Sequence, residues 1–129
     1  MGIAIGPNGA VYVAEAGAGR VSRLAGGRGE TVIDGLGEPQ GLAIAGNRLY
    51  TLDVGTKQLI ESDLSGGARR VIASDLPVGA PPGVIAKQLG GVGDLCGPMN
   101  TFSGLAAGAD GTLYVAGDGE GSVLAVHAV

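Results

Sequence analysis

The stretch Gly41-Leu42-Ala43-Ile44-Ala45-Gly46-Asn47-Arg48-Leu49-Tyr50 is one of three similar segments in this chain of 129 residues. Each segment has a glycine followed by aliphatic residues, a turn dipeptide, and an aliphatic residue followed by tyrosine. The other two copies run from Gly2 to Tyr12 and from Gly104 to Tyr114. Successive tyrosines are 38 and 64 residues apart. The sequence therefore repeats with a period near 40, and its second interval contains about two dozen additional residues.

The residues within each copy favour β-strands over helices. Runs of four to six aliphatic or β-branched residues alternate with Asn-Gly, Gly-Asn, Asp-Gly or Gly-Gly dipeptides, which suit tight hairpin turns. None of the units contains the 10 to 12 residues of helical periodicity that a helical repeat needs. Each unit is therefore predicted to be an antiparallel meander. The predicted strands are 3–5, 10–14, 19–25 and 30–34, then 42–45, 48–52, 58–63 and 69–73, and finally 105–107, 112–116 and 122–127.

This pattern predicts an all-β chain, a β-propeller fragment of about three four-stranded antiparallel blades. The predicted units are a blade at 1–37, a blade at 38–73, an inserted loop at 74–103 and an incomplete blade at 104–129. Propellers usually have four to eight blades, and a strand from the other terminus closes the ring. We therefore expect half of a six-bladed ring, completed either by a missing N-terminal half or by a second copy in a homodimer.

The inserted loop at 74–103 is rich in proline and glycine, and it also contains several apolar residues. Loops of this length in a compact domain are often lids or binding segments. Two interpretations stay open, a lid or partner-binding loop and a decoration of the blade edge.

The composition and charge of the chain limit the kinds of partner that we expect. Hydrophobic residues make up 45% of the chain, enough for a core, and the net charge is −4. The eight Lys and Arg residues form no basic run, so neither nucleic acid nor an anionic membrane is expected as a partner. No apolar run is long enough for a membrane helix and no signal peptide is recognised, so we expect a soluble chain of unassigned compartment. A single cysteine cannot form an internal disulfide.

The second unit resembles the NHL-repeat β-propellers and their relatives in the SMP-30/gluconolactonase-like group. The residues that carry the resemblance are Leu36, Pro39, Gly41-Leu42-Ala43-Ile44, Gly46-Asn47, Leu49-Tyr50 and Asp53. The other two units repeat parts of this motif, so the resemblance covers roughly 1–73 and 103–127. It implies the propeller fold. For function it implies several classes, among them protein or RNA binding, lactonase or lyase activity, and sensing.

Several polar side chains are predicted to lie at one end of the blades. In a meander, the loops between second and third strands and the connections into the next blade lie on the same face of the disc. The candidates for a ligand-binding face there are Glu15, Glu38, Gln40, Asp53 and Asp118. We expect them to surround a funnel above the central axis. The predicted function is a propeller module that binds a protein or a small-molecule ligand on this face.

The resemblance implies an alternative, a metal-dependent lactonase or ester hydrolase of the gluconolactonase kind. Glu15 and Asp53 would then bind Ca²⁺ or another divalent metal, which polarises a carbonyl group. The third unit has Gly117 at the matching position, and its acid, Asp118, is displaced by one residue. These acids are also compatible with solvated loops or strand-end caps. No catalytic residue is assigned, because one histidine and no nucleophile elbow make a serine triad improbable.

Overall fold

The computed structural model describes residues 2–79 and 103–127. Within these two ranges the chain forms β-strands and one 3-10 helix at Ala16–Ala18. The strands are β1 (Ile3–Ile5), β2 (Val11–Glu15), β3 (Arg20–Ala25), β4 (Arg28–Ile33), β5 (Pro39–Ala45), β6 (Arg48–Asp53), β7 (Gln58–Asp63), β8 (Arg69–Ala73), β9 (Leu105–Ala107), β10 (Leu113–Gly117) and β11 (Ser122–Val126). None of the helical structure in the described ranges has the length and apolar character needed to cross a membrane.

The strands form three antiparallel sheets, which we call the first, second and third blades. Their strand orders are β1-β2-β3-β4, β5-β6-β7-β8 and β9-β10-β11. Every strand pairs with its neighbour in sequence, as in an up-and-down meander. The predicted all-β class and the three-blade arrangement are confirmed. The third sheet has three strands among the described residues, as the sequence predicted.

The second and third strands of every blade are joined by a loop of four residues. The paired residues that flank these loops are Glu15 and Arg20, Asp53 and Gln58, and Gly117 and Ser122. The last loop residue has a positive φ in each case, 61° at Gly19, 56° at Lys57 and 72° at Gly121. Because the three loops have the same length and shape, the residues that flank them can be matched one to one between the blades.

The first strands of the three blades lie side by side, and β5 packs between β1 and β9. A Cβ atom placed on Gly41, just before the aliphatic part of the repeat, would lie 2.9 Å from Leu105 Cβ. A Cβ atom on Gly2 would overlap the backbone of Gln40. The repeated glycine is therefore needed at these two positions because neighbouring inner strands approach too closely for a side chain.

Two apolar clusters fill the spaces between the blades. The cluster between the first and second blades contains Ala10, Tyr12, Ala14, Val21, Ile33, Leu42 and Leu49. The cluster between the second and third blades contains Leu52, Val54, Leu59, Leu76, Val78, Leu113 and Val115. Each blade is thus held to the next by face-to-face packing of mainly aliphatic side chains, with about 25 cal/mol gained per Å² of apolar surface removed from water.

The predicted inserted loop begins as an ordinary connection between blades. The Leu76 amide donates to the Lys57 carbonyl at 3.1 Å, as the Leu36 amide donates to the Gly19 carbonyl at 2.9 Å in the preceding blade. Asp75 and Gly35 also share a positive φ, so residues 74–76 follow the course of 34–36. Residues 80–102 lie outside the described ranges, and with them the part of the loop predicted to act as a lid or as a decoration.

Candidate functional site

Asp53 lies at the end of β6 and is only 1% exposed. Its carboxylate accepts hydrogen bonds from the backbone amides of Gly37 (2.8 Å), Glu38 (2.7 Å), Gly55 (3.0 Å) and Thr56 (3.3 Å). Two of these amides belong to the connection into the second blade, and two belong to the loop after β6. Asp53 therefore joins both loop families of the funnel face, the end of the blades on which these loops lie.

The environment of Asp53 favours its charged form. Burial raises the pKa of the carboxyl group, but the hydrogen bonds from Glu38, Gly37 and Thr56 outweigh burial, and the pKa lies below its ordinary value. A carboxyl group whose pKa is lowered on folding stabilises the folded state above its unfolded-state pKa, about 3.9 for aspartate. This stabilisation disappears as the pH falls through the lower folded-state pKa.

We expect the free energy of unfolding to decrease as the pH is lowered below about 4, because protonation of Asp53 costs more in the folded chain. Urea unfolding at a series of pH values would measure this dependence. The Asp53→Asn variant cannot titrate at this position, so its unfolding free energy should depend less steeply on pH in the same range. Identical pH dependences for the two proteins would contradict the assignment.

Asp118 has a similar structural role in the third blade. Its Oδ1 atom accepts hydrogen bonds from the Gly79 amide (2.9 Å) and the Ser103 hydroxyl (2.6 Å). Those two residues flank 80–102, so one carboxylate holds both ends of that segment at the funnel face. Asp118 lies one residue beyond the end of β10, whereas Asp53 is the last residue of β6, but both carboxylates accept hydrogen bonds from the connection between blades. The other oxygen, Oδ2, is buried and has no hydrogen-bond partner within the described ranges.

A chain of hydrogen bonds connects the second and third blades at this face. The Gln40 side-chain amide donates to Glu38 Oε1 at 3.1 Å, and the Ser103 backbone amide donates to Gln40 Oε1, also at 3.1 Å. The Ser103 hydroxyl continues the chain to Asp118. We call these four residues, Glu38, Gln40, Ser103 and Asp118, the funnel network. It places two carboxylates and a buried amide beside the starts of the inner strands β5 and β9.

Glu15 is separate from the funnel network. Both of its carboxylate oxygens accept from the Arg20 guanidinium at 3.0 Å, and Ser22 donates a further hydrogen bond. The hydrogen bonds from Arg20, then those from Ser22, lower the pKa of Glu15. All these partners belong to the first blade. The contacts of Glu15 therefore do not join it to Asp53, its predicted partner in a metal site.

The metal-site hypothesis for Glu15 and Asp53 stays a prediction. Within residues 2–79 and 103–127, no group of three or more His, Cys, Asp or Glu side chains has the arrangement of a metal site. A cation at Asp53 would have to compete with four backbone amides, and a cation at Glu15 would have to compete with Arg20. Both carboxylates already have structural partners.

The opposite end of the blades holds none of the predicted site residues. His127, the only histidine of the chain, contacts Thr112 Oγ1 through Nδ1 at 3.1 Å, before the start of β10. An open groove of about 640 Å³ between the first and second blades also lies at this end, lined by turn residues such as Asn8 and Asn47. The imidazole is thus separated from the funnel network by the length of a strand.

Ser103 was missed as a site residue by the sequence analysis. It comes directly before Gly104, just as Gln40 comes directly before Gly41. A comparison of the residues that precede each repeat glycine would have paired Ser103 with Gln40, and the two do lie in hydrogen-bond contact. Position within the repeat was therefore the signal that could have identified it.

Comparisons with known proteins identify the fold. No family model matches the chain, and no curated protein matches it. Among solved structures, the chain is similar to a chain of the nidogen/laminin complex, with 20% identity over 89% of its length and a TM-score of 0.62. It is also similar to a Thermus thermophilus protein described as an oxidoreductase (glucose dehydrogenase), with 22% identity over 88% of its length and a TM-score of 0.59.

Both similar structures agree with a partial β-propeller, which is the predicted fold. The chain spans 38% of the length of the first and 36% of the length of the second. At these identities the likeness extends to the fold alone.

Proposed function

We propose that this chain is a binding segment of an NHL-like β-propeller, and that its funnel face takes a protein partner through a hydrogen-bond donor or cationic side chain. The partly exposed carboxylate of Glu38, which accepts one hydrogen bond from the described residues, carries the proposal. A carboxylate can accept several hydrogen bonds, so a donor group of a ligand can bind it without displacing the hydrogen bond from Gln40.

The directions of the hydrogen bonds in the funnel network favour a ligand that donates hydrogen bonds. The Gln40 amide and the Ser103 hydroxyl both donate within the network. The Glu38 carboxylate can accept further hydrogen bonds, because among the described residues it accepts one, from Gln40, and forms no ion pair. A lysine or arginine side chain offers several donors and a positive charge, which matches an acceptor-rich and negatively charged face.

A protein is favoured over a small molecule as the source of this group. The funnel face is made of loops from different blades, and such loops commonly carry binding residues on a rigid scaffold. A chain of similar fold occurs in the nidogen/laminin complex, which agrees with a protein partner. The metal-dependent lactonase remains the alternative, with Glu15 and Asp53 as its proposed metal ligands.

Titration with N-acetyl-arginine amide, monitored through backbone amide NMR signals, tests the proposal. We expect shifts at Gln40 and Ser103, and little response to N-acetyl-citrulline amide, which has the same shape but no charge. Glu38→Gln should weaken the arginine response about fivefold, corresponding to a charged hydrogen bond of about 1 kcal/mol. The exposed Glu30→Gln is the matched control and should behave as the unmodified chain.

Equal responses to arginine and citrulline, or shifts confined to other blades, would contradict the proposed binding mode. Calcium provides the contrast with the alternative function. Calcium-dependent shifts at Glu15 and Asp53, without an arginine response at the funnel network, would favour the metal-dependent hydrolase.

A further inference from the structure

The blades of this chain pack through two different faces that recur in every repeat. The second blade turns one face, with Leu42, Ile44 and Leu49, towards the first blade. It turns the other face, with Leu52 and Leu59, towards the third blade. The same pair of complementary surfaces therefore meets twice within the chain.

The outer face of the first blade has the apolar character of a buried surface but is open to solvent. Its apolar residues are Ile3, Ile5, Val11, Val13 and Leu24, which lie on one side of the sheet by strand register. The ion pair of Glu15 and Arg20 and the Ser22 side chain lie on the same side, at the funnel end. Ile3 is 62% exposed, whereas Leu42, the equivalent residue of the second blade, is 5% exposed. The difference arises because the first blade covers this face of the second blade, whereas no described residue covers the same face of the first.

The outer face of the third blade is open in the same way. It consists of Ala106, Tyr114, Ala116, Val123 and Ala125. Val123 is 75% exposed, while its equivalents Val21 and Leu59 are completely buried by the blade that follows each of them. The two outer faces are thus the two halves of the recurring blade contact. Exposed apolar surfaces of this kind commonly mark interaction sites.

The repeat glycine of the third blade leaves room for another inner strand. A Cβ atom on Gly41 would lie 2.9 Å from Leu105 Cβ, but a Cβ atom on Gly104 would meet only Ala116, at 3.9 Å. Gly104 therefore has no neighbour within the described chain that requires a glycine. By repeat equivalence, the residue that would approach Gly104 is the counterpart of Leu105 in a following blade, and in this sequence that counterpart is Ile3.

We propose that two copies of this chain associate head to tail, with the outer face of the third blade of each copy packed on the outer face of the first blade of the other. Gly104 of one copy then contacts Ile3 of the second copy at two equivalent places. Two copies supply six blades, within the usual range of four to eight, whereas three copies would supply nine. The number of blades therefore selects a closed two-fold dimer over a larger ring.

This inference extends beyond the proposed ligand and does not depend on it. Ring closure would place the funnel networks of both copies around one axis, so a partner would meet two sets of carboxylates. The apolar residues of both outer faces would be removed from water, which gives the association its driving force.

Sedimentation equilibrium at micromolar concentrations tests the dimer. We expect twice the chain mass of 12.5 kDa for the unmodified chain. Gly104→Val should raise the dimer dissociation constant by about 100-fold or more, because the added side chain collides with the incoming inner strand at both contacts. Gly66→Val is the matched control, since a Cβ atom there meets nothing within 4 Å and Gly66 lies in the turn between β7 and β8.

A mixture of two variants tests the head-to-tail arrangement. Gly104→Val alters only the outer face of the third blade, and Ile3→Asp alters only the outer face of the first blade, where Ile3 is exposed in the single chain. Either variant alone disrupts both contacts of its own dimer, whereas a dimer with one copy of each keeps one contact between two unmodified faces, so the mixture should associate more tightly than either variant alone. A monomer of the unmodified chain at these concentrations, a dimer unaffected by Gly104→Val, or a mixture that associates no more tightly than the separate variants would each overturn the proposal.

Discussion

Asp53→Ala is expected to lower the free energy of unfolding by about 3 kcal/mol, because it removes a buried carboxylate that accepts four partly buried backbone hydrogen bonds. Asp53 accepts four such hydrogen bonds, two of them from Gly37 and Glu38 at 2.8 and 2.7 Å. Alanine can accept none of them through its side chain. Water would have to enter between the blades, or the connection that precedes β5 would have to move. Urea unfolding at neutral pH measures the change.

Asp63→Ala provides a control of the same residue type in the same blade. Asp63 accepts hydrogen bonds from the Ser65 amide at 2.8 Å and from Asn47 at 3.2 Å, but in an exposed turn. Solvent can replace these bonds, so we expect a loss of at most about 1 kcal/mol. Equal losses for the two variants would show that Asp53 does not act as a buried acceptor for the connections between blades.

The fold could be predicted from the sequence because local and repeated signals agree. Turn dipeptides mark the ends of strands, and the three copies of the glycine and tyrosine motif establish equivalent positions along the chain. The predicted strands 3–5, 58–63, 69–73 and 105–107 coincide with β1, β7, β8 and β9, and the other seven differ at their ends by one to three residues. The small differences occur because pairing extends until the backbone turns, and a turn residue can itself make a ladder hydrogen bond.

The sequence predicted less well which residues contact one another in the funnel network. Glu38, Gln40 and Asp118 were assigned to one face from topology, and they do belong to one network together with Ser103. Their contacts depend on the position of each inner strand beside the next one. That position is determined by packing between blades, which strand periodicity within a single blade does not describe.

The hydrogen-bond partners of Glu15 and Asp53 also differ in how far the sequence could predict them. Arg20 lies directly across a four-residue loop from Glu15, so this ion pair follows from hairpin geometry once the loop is known. The hydrogen bonds of Asp53 to Gly37 and Glu38 reach the connection that precedes β5, 16 and 15 residues away in the chain, and have no local signature. Charge and position alone therefore identified these carboxylates but did not separate structural acceptors from ligand-binding groups.

Gly41→Val is expected to destabilise the chain by about 3 kcal/mol, because the second and third blades could no longer pack at their present separation. A Cβ atom at this position would lie 2.9 Å from Leu105 Cβ and 3.2 Å from Leu52 Cβ. Neither neighbour can move freely, since Leu52 is completely buried and Leu105 belongs to the inner strand β9. Thermal and urea unfolding measure the loss.

Gly104→Val is the matched variant at the same repeat position, measured at protein concentrations low enough to keep the chain monomeric. Among the described residues its Cβ atom would meet only Ala116, at 3.9 Å, an ordinary contact, so the unfolding free energy should change by less than about 0.5 kcal/mol. The contrast separates two causes, since both variants carry the same preference of valine for β-strands. If Gly41→Val proved as harmless as Gly104→Val, close packing of inner strands could not be the reason for the glycine in the repeat.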